Sequence, residues 1–163
     1  MTRTVTMTVE DGLGILRLGR GHGNAINDTL VGEVMSALHE AEEDPDLRGL
    51  LLASSGKLFS AGLDLRELIE LDRPGMEHFV RRFNACFLML YSFSKPLVAA
   101  VHGHALGGGL QIALGADIRI AAPDMRFSIL EIKWGLIPDV GITQTLRDIV
   151  SLDVAKELTF TGR

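Results

Sequence analysis

Two glycine-rich segments carry the chemistry this sequence is best equipped for. The first is Gly56-Lys57-Leu58-Phe59-Ser60-Ala61-Gly62-Leu63-Asp64-Leu65, and the second is His102-Gly103-His104-Ala105-Leu106-Gly107-Gly108-Gly109-Leu110-Gln111. Each follows an apolar run and opens a helical pattern, an arrangement that aims free backbone N–H groups out of a helix N-terminus. Donors so placed stabilise negative charge as it develops on a carbonyl oxygen, which points to enolate or acyl chemistry. Close packing of strand against helix would also account for the glycines. Other glycine motifs fit worse. A dinucleotide fingerprint fails because Ile112 stands where the third glycine belongs, and a phosphate loop fails because Gly109 stands where lysine is required. His104 to Gly109 is like an esterase oxyanion loop, but the chain has no G-x-S-x-G nucleophile elbow.

Proton transfer needs a titratable partner, and Glu131 is the leading candidate. It lies in Ile129-Leu130-Glu131-Ile132-Lys133-Trp134-Gly135-Leu136, a carboxylate among apolar neighbours. Burial there would raise its pKa toward neutrality. An exposed loop carboxylate, paired with Lys133 or Arg126, fits the same residues. His102 and His104 sit where a strand ends and read as hydrogen-bonded turn residues. No His, Cys or carboxylate spacing resembles a metal site. Lys57 and Arg66 flank the first glycine segment, either as solvated charges or as partners for phosphate.

Composition narrows the class. With 163 residues, 47% of them hydrophobic, the chain is expected to form a single domain, residues 1–163, around one substantial core. A net charge of −5 and the lack of a basic, aromatic-laced stripe argue against a nucleic-acid partner. The single cysteine, Cys86, excludes an internal disulfide and suits a reducing, cytoplasmic setting. Met1 to Glu10 lacks the apolar segment of a signal peptide. Pro96 to Ala116 holds no charged residue, but its glycines and its two histidines argue for a strand, a turn and a buried helix rather than a membrane span.

The elements that must position these groups can be read from periodicity. Val5, Met7 and Val9 alternate up to Asp11-Gly12 and Ile15 to Leu18, a hairpin signal. Asn27 or Asp28 can cap a helix to about Glu43 that buries Leu30, Val31, Val34, Met35 and Leu38. Gly49 to Ala53 reads as a fully buried strand and Asp64 to Leu71 as a helix broken by Pro74-Gly75. A long helix follows over Met76 to Phe93. Then come a strand at 97–101, a helix at 107–114, a strand at 118–121, a short strand at 127–130, and helices at 142–150 and 152–160. Strands alternating with helices predict an α/β fold with largely parallel pairing.

Three strings in this order, Phe59-Ser60-Ala61-Gly62-Leu63-Asp64-Leu65, Gly107-Gly108-Gly109 and Ala116-Asp117-Ile118-Arg119-Ile120-Ala121, make the chain resemble the crotonase superfamily, the enoyl-CoA hydratase/isomerase family. Asn24-Ala25-Ile26-Asn27 is similar to the family's early asparagine-alanine motif. Phe127 to Gln144 is similar to the segment that carries its main acid/base glutamate. The resemblance covers nearly the whole chain. It implies a spiral of repeated strand-strand-helix units, an acyl-CoA thioester as substrate with coenzyme A arriving as part of it, and no further cofactor or metal. By motif position, the N–H groups of Leu63 and Gly108 would be the oxyanion donors and Glu131 the acid/base residue. Asn24, Ala25, Ala61, Gly62, Asp64 and Gly107 would line the bound thioester and its coenzyme A. Gly108 is expected to be small so that the thioester oxygen can approach.

Two positions depart from the commonest family pattern. Hydratases of this kind usually place a second glutamate where this chain has Gln111, and an amide cannot take up and return a proton at neutral pH. One base suffices to move a proton between the alpha and gamma carbons of an enoyl thioester, so the resemblance favours isomerisation over hydration. Asp139, eight positions after Glu131, resembles the second proton-transfer aspartate of dienoyl-CoA isomerases, and it also suits a cap for a helix starting near Gly141. Family members usually continue past Phe160-Thr161-Gly162-Arg163 into helices that cover the acyl pocket and help form trimers. A homotrimer or larger assembly is expected where that segment is present.

Overall fold

The alternating apolar residues of the N-terminal segment form an antiparallel hairpin, β1 (Val5–Glu10) with β2 (Leu13–Leu18), in a computed structural model that describes residues 3–163. Asp11 and Gly12 turn the chain with φ of 50° and 80°, the left-handed pair that a two-residue hairpin requires. From β2 onward the pairing is parallel. β3 (Gly49–Ser54), β4 (Leu97–Val101) and β6 (Ile118–Ala121) follow in the order β1-β2-β3-β4-β6. A second, short parallel sheet pairs β5 (His104–Leu106) with β7 (Arg126–Ser128) and is extended by a single bridge from Ser60 to Ala105.

These two sheets are wound by one repeating path. β3 leads to Ser60 in the small sheet and then to α3 (Leu65–Leu68) and α4 (Arg73–Tyr91). β4 leads to β5 and then α5 (Gly108–Leu114). β6 leads to β7, then a 3₁₀ turn (Leu130–Trp134) and α6 (Ile142–Thr145). Each strand-strand-helix turn stacks on the one before, so the expected α/β spiral is what the chain adopts. α1 (Gly21–Asn24) is a single distorted turn, and α2 (Asp28–Glu43) packs on α4 and on the hairpin. α7 (Leu152–Thr161) closes the described chain.

The core explains which helices hold the site. Leu16, Leu18, Leu50, Leu52 and Ala99 are wholly buried under α2 and α4, together with Phe79, Phe83 and Cys86. Every residue of α5 is buried. Ile112 and Ala113 join that main cluster, while Leu110 and Leu114 join a smaller one with Ile129, Ile142, Leu146 and Leu158. A helix covered on all sides needs small or apolar residues throughout, which is the second reason for the glycines at its start. The uncharged stretch from Pro96 to Ala116 is thus divided among β4, β5 and α5, and no described helix is long and apolar enough to cross a membrane.

Several expected boundaries shift for physical reasons. Pro74 and Gly75 do not break a helix; they open α4, where proline's missing N–H is no loss and the Asp72 side chain accepts from Gly75 N at 2.9 Å. β3 is wholly buried on the face of Leu50 and Leu52 but only partly on the other, where Gly49 and Leu51 are half-covered and Ala53 is buried. The short strand at 127–130 is Arg126–Ser128, because the chain tightens into the 3₁₀ turn at Leu130. The helix at 142–150 is α6 followed by a second 3₁₀ turn, Leu146–Asp148.

The contact between the two glycine segments is a tight joint in this architecture. A Cβ on Gly109 would lie 2.6 Å from Ser60 Cβ and 2.9 Å from the Ser60 carbonyl oxygen. Overpacking of this kind typically costs about 1–3 kcal/mol. Gly109→Ala is therefore expected to lower the urea midpoint by that amount of stability with an unchanged m-value.

Candidate active site

The loop after β3 is held by backbone and side-chain bonds that leave one N–H free. Phe59 N and Ser60 N donate to the carbonyls of His102 and His104, each at 3.0 Å, and Leu106 N donates back to Ser60 O at 3.0 Å. On the other side, Ile26 N donates to Gly62 O at 2.7 Å and Asp64 N to Ile26 O at 2.8 Å. Leu63 is thereby clamped in an extended segment ahead of α3, not at the helix N-terminus that its sequence context suggested. Gly62 takes φ +89°, and a Cβ there would meet Leu106 O at 2.7 Å and Gly108 N at 3.7 Å. That near-contact sets Leu63 beside the start of α5. Among the described residues, neither Leu63 N nor Gly108 N has an acceptor within the protein.

Glu131 completes the arrangement. A Cβ on Gly107 would come within 3.4 Å of Glu131 Oε1, so the carboxylate lies over the turn into α5. Glu131 is 6% exposed, and Gln111 Nε2 donates to its Oε1 at 2.8 Å. Its Oε2 and the Gln111 Oε1 are both buried with no partner among the described residues. Burial pushes the Glu131 pKa up; its own turn's N–H and the Gln111 amide pull it down, and the Asp139 charge adds to the rise. The expected burial of Glu131 is thus found, and neither Lys133 nor Arg126 pairs with it.

Leu63, Gly108, Glu131, Ala61, Gly62 and Gly107 share one cavity of about 150 Å³, walled also by Leu65, Leu130, Trp134 and Leu136. Gln111 stands behind Glu131 and does not line it. Asp139 is exposed and reaches the site through its charge; Gly141, not Asp139, caps α6, and without a side-chain bond. Ala25 and Asp64 line a neighbouring cavity of about 490 Å³ that opens beside Leu63. Lys57 is exposed and lines neither, whereas Arg66 lines the larger.

Two expected site residues have further roles in this geometry. Asn24 offers its side chain to no cavity: it is 1% exposed, and its Nδ2 donates to the carbonyls of Ser55, Leu58 and Phe59 at 3.0, 3.1 and 3.3 Å. Its φ of 54° lies in the left-handed region, which asparagine tolerates better than most residues. Asn24 is a clamp on the loop that carries Leu63. The smallness of Gly108 has another cause too, since its Cβ would strike the Phe83 ring at 3.1 Å and Ile26 at 3.4 Å. The core behind it sets the limit.

Sequence reasoning passed over Ser60 and Arg20. Ser60 is fully buried, its Oγ donating to Asn24 O at 2.9 Å and accepting from Gly62 N at 3.2 Å. The cue was present in a small hydroxyl residue before Ala61-Gly62. Arg20 joins Glu67, 47 residues downstream, and no local pattern announces such a pairing.

The profile of the enoyl-CoA hydratase/isomerase family matches residues 8–163. A probable enoyl-CoA hydratase of Mycobacterium tuberculosis is 35% identical over 161 residues, covering 98% of this chain and 62% of that protein. The mitochondrial enoyl-CoA hydratase domain-containing protein 2 of Mus musculus is 40% identical over 141 residues, 86% of this chain and 48% of its own length. The crystal structure of an enoyl-CoA hydratase from Bacillus anthracis superposes with a TM-score of 0.94 at 29% identity, covering 98% of this chain and 63% of that one. The chain thus spans under two thirds of the length of these relatives. By profile, identity and fold, it belongs to the enoyl-CoA hydratase/isomerase family.

Proposed function

We propose that this site stabilises the enolate of an acyl-CoA thioester and moves a proton between its alpha and gamma carbons, an enoyl-CoA isomerisation. The observation that carries the reading is one buried carboxylate, Glu131, facing a cavity whose wall holds the unpartnered N–H groups of Leu63 and Gly108. The thioester oxygen accepts from both N–H groups. Glu131 removes the alpha proton, the C–H electrons pass into the enolate, and the same proton returns at the gamma carbon. Because Oε1 already accepts from Gln111, the proton rides on Oε2. Coenzyme A enters as part of the substrate along Ala25 and Asp64, and no other cofactor takes part.

Hydration is the second reading, and one observation favours it. Gln111 Oε1 and Glu131 Oε2 are two buried acceptors without partners, enough to hold one water between them. The names of the relatives point the same way. Gln111 cannot share the proton transfer, so all of it would fall on Glu131. A cytoplasmic setting and a homotrimeric or larger assembly belong to the same reading. The single thiol, Cys86, is buried with its pKa pushed up to about 12, and Ile118 and Ile120 on the edge strand β6 stand 58% and 63% exposed.

Glu131→Gln is expected to lower kcat by on the order of 100- to 10,000-fold with little change in binding of the CoA ester. Proton NMR in deuterated water reads the reaction: a 2-enoyl product from a 3-enoyl-CoA marks isomerisation and an unchanged 3-enoyl spectrum defeats it, while a 3-hydroxyacyl product from a 2-enoyl-CoA marks hydration and its absence defeats that reading. The pH profile gives an independent check. Glu131 must be ionised to act as base and its pKa is raised, so kcat/KM should fall on acidification through a point above the ordinary carboxylate value of 4.5. Removing the Gln111 hydrogen bond with Gln111→Leu should move that limb to still higher pH, because the bond favours the ionised form.

A further inference from the structure

The structure assigns Arg20 as the positioning residue of the Leu63 oxyanion donor, an inference that rests on the reading of Leu63 N–H given above. Arg20 reaches three groups at once. Its Nη1 donates to Ala25 O at 2.8 Å and lies 2.8 Å from Asp64 Oδ2, and its Nη2 donates to Glu67 Oε1 at 2.5 Å. The Arg20 and Asp64 side chains are each only 11% exposed. Glu67 also accepts from Asn27 Nδ2 at 2.8 Å, and Asn27 Oδ1 caps α2 through Leu30 N at 3.0 Å. One guanidinium therefore ties the loop at 20–27 and the start of α2 to both sides of α3.

The donor stands at the centre of this network. Asp64 follows Leu63 directly, and the Asp64 and Ile26 backbones already bracket the donor peptide. A two-pronged guanidinium fixes both position and angle in a way that an ammonium cannot. Burial by itself would raise the Asp64 pKa, but the Arg20 hydrogen bond and charge hold it below the usual carboxylate value, so Asp64 stays ionised and the tie persists at neutral pH. Arg20 faces two carboxylates and its charge is spent on them, although it lines the 490 Å³ cavity beside Leu63. Its role is accordingly to aim the peptide, not to hold a substrate phosphate. Small errors here matter, since a misplacement of about 1 Å can cost on the order of 100-fold in rate.

The test uses the 163-residue chain and cinnamoyl-CoA, whose conjugated thioester absorbs at longer wavelength when its carbonyl is polarised. Arg20→Met should shrink the red shift seen on binding to wild type and lower kcat of the enoyl-CoA reaction by roughly 10-fold or more, short of the 100- to 1,000-fold expected for a missing donor. Affinity for free coenzyme A should be unchanged, and Arg20→Lys should recover only part of the shift. Should Arg20→Met fail to fold, Glu67→Gln, which preserves the volume and removes one of the two carboxylates that hold the guanidinium, is expected to shrink the red shift and kcat in the same direction by a smaller factor. A full red shift and full kcat in the variant overturn the Arg20 proposal alone. Weaker coenzyme A binding with an intact red shift also overturns it, by making Arg20 a ligand contact. No red shift in wild type overturns the oxyanion reading itself, and the Arg20 proposal with it.

Discussion

Everything in this site depends on how closely two loops can approach each other. The segment 57–63 lies against 102–109 so tightly that Gly62, Gly103 and Gly109 have backbone where a side chain would otherwise begin; a Cβ on Gly103 would sit 2.1 Å from Lys57 O. Hydrogen bonds in both directions across the small sheet hold that approach. With Cβ atoms excluded, two backbone N–H groups from different turns of the spiral come to wall a single cavity. A backbone N–H cannot be lost by exchanging its side chain, so the free N–H of Leu63 does not depend on which residue stands there. The demand for small residues falls on its neighbours instead.

Electrostatics inside this frame turns on a single ionisable group. α5 is buried on every side, and its one polar residue, Gln111, bonds to the one buried carboxylate, Glu131. Two carboxylates at this separation would compete for one proton, each raising the pKa of the other. The amide avoids that competition. It stabilises ionised Glu131 by one hydrogen bond while burial and Asp139 work in the opposite direction. The result is a buried carboxylate whose ionised form is opposed by burial and supported by hydrogen bonds.

The sequence disclosed this site unevenly, and the pattern follows interaction range. Residues fixed by local geometry were legible: the Asn27 cap, the Asp11-Gly12 turn, and the periodic apolar face of α2 all formed where their spacing placed them. Leu63, Gly108 and Glu131 were legible through motif order, and they line one cavity. Arg20 was silent because its partners come from another turn of the spiral. The clamp made by Asn24 was not legible, because its motif lies near the site while its side chain turns inward to three carbonyls. Pro74 was misread because a helix breaker and a helix opener are the same residue until the cap at Asp72 is seen.

Glu131 and the cavity wall beside it are neighbours in sequence but supported differently. Glu131 opens a 3₁₀ turn whose far end is tied back by Leu136 N donating to Glu131 O at 3.0 Å, and Gly107 N donates to Ser128 O at 2.9 Å just before it. Its buried side chain is held by α5. Trp134 and Leu136, a few residues on, line that wall, stand 64% and 43% exposed and bear little of the core's packing. Substitutions at Trp134 or Leu136 can therefore reshape that wall at little cost to the fold, while Glu131 stays fixed by the interior. The outline of the cavity and the setting of its carboxylate thus answer to different constraints.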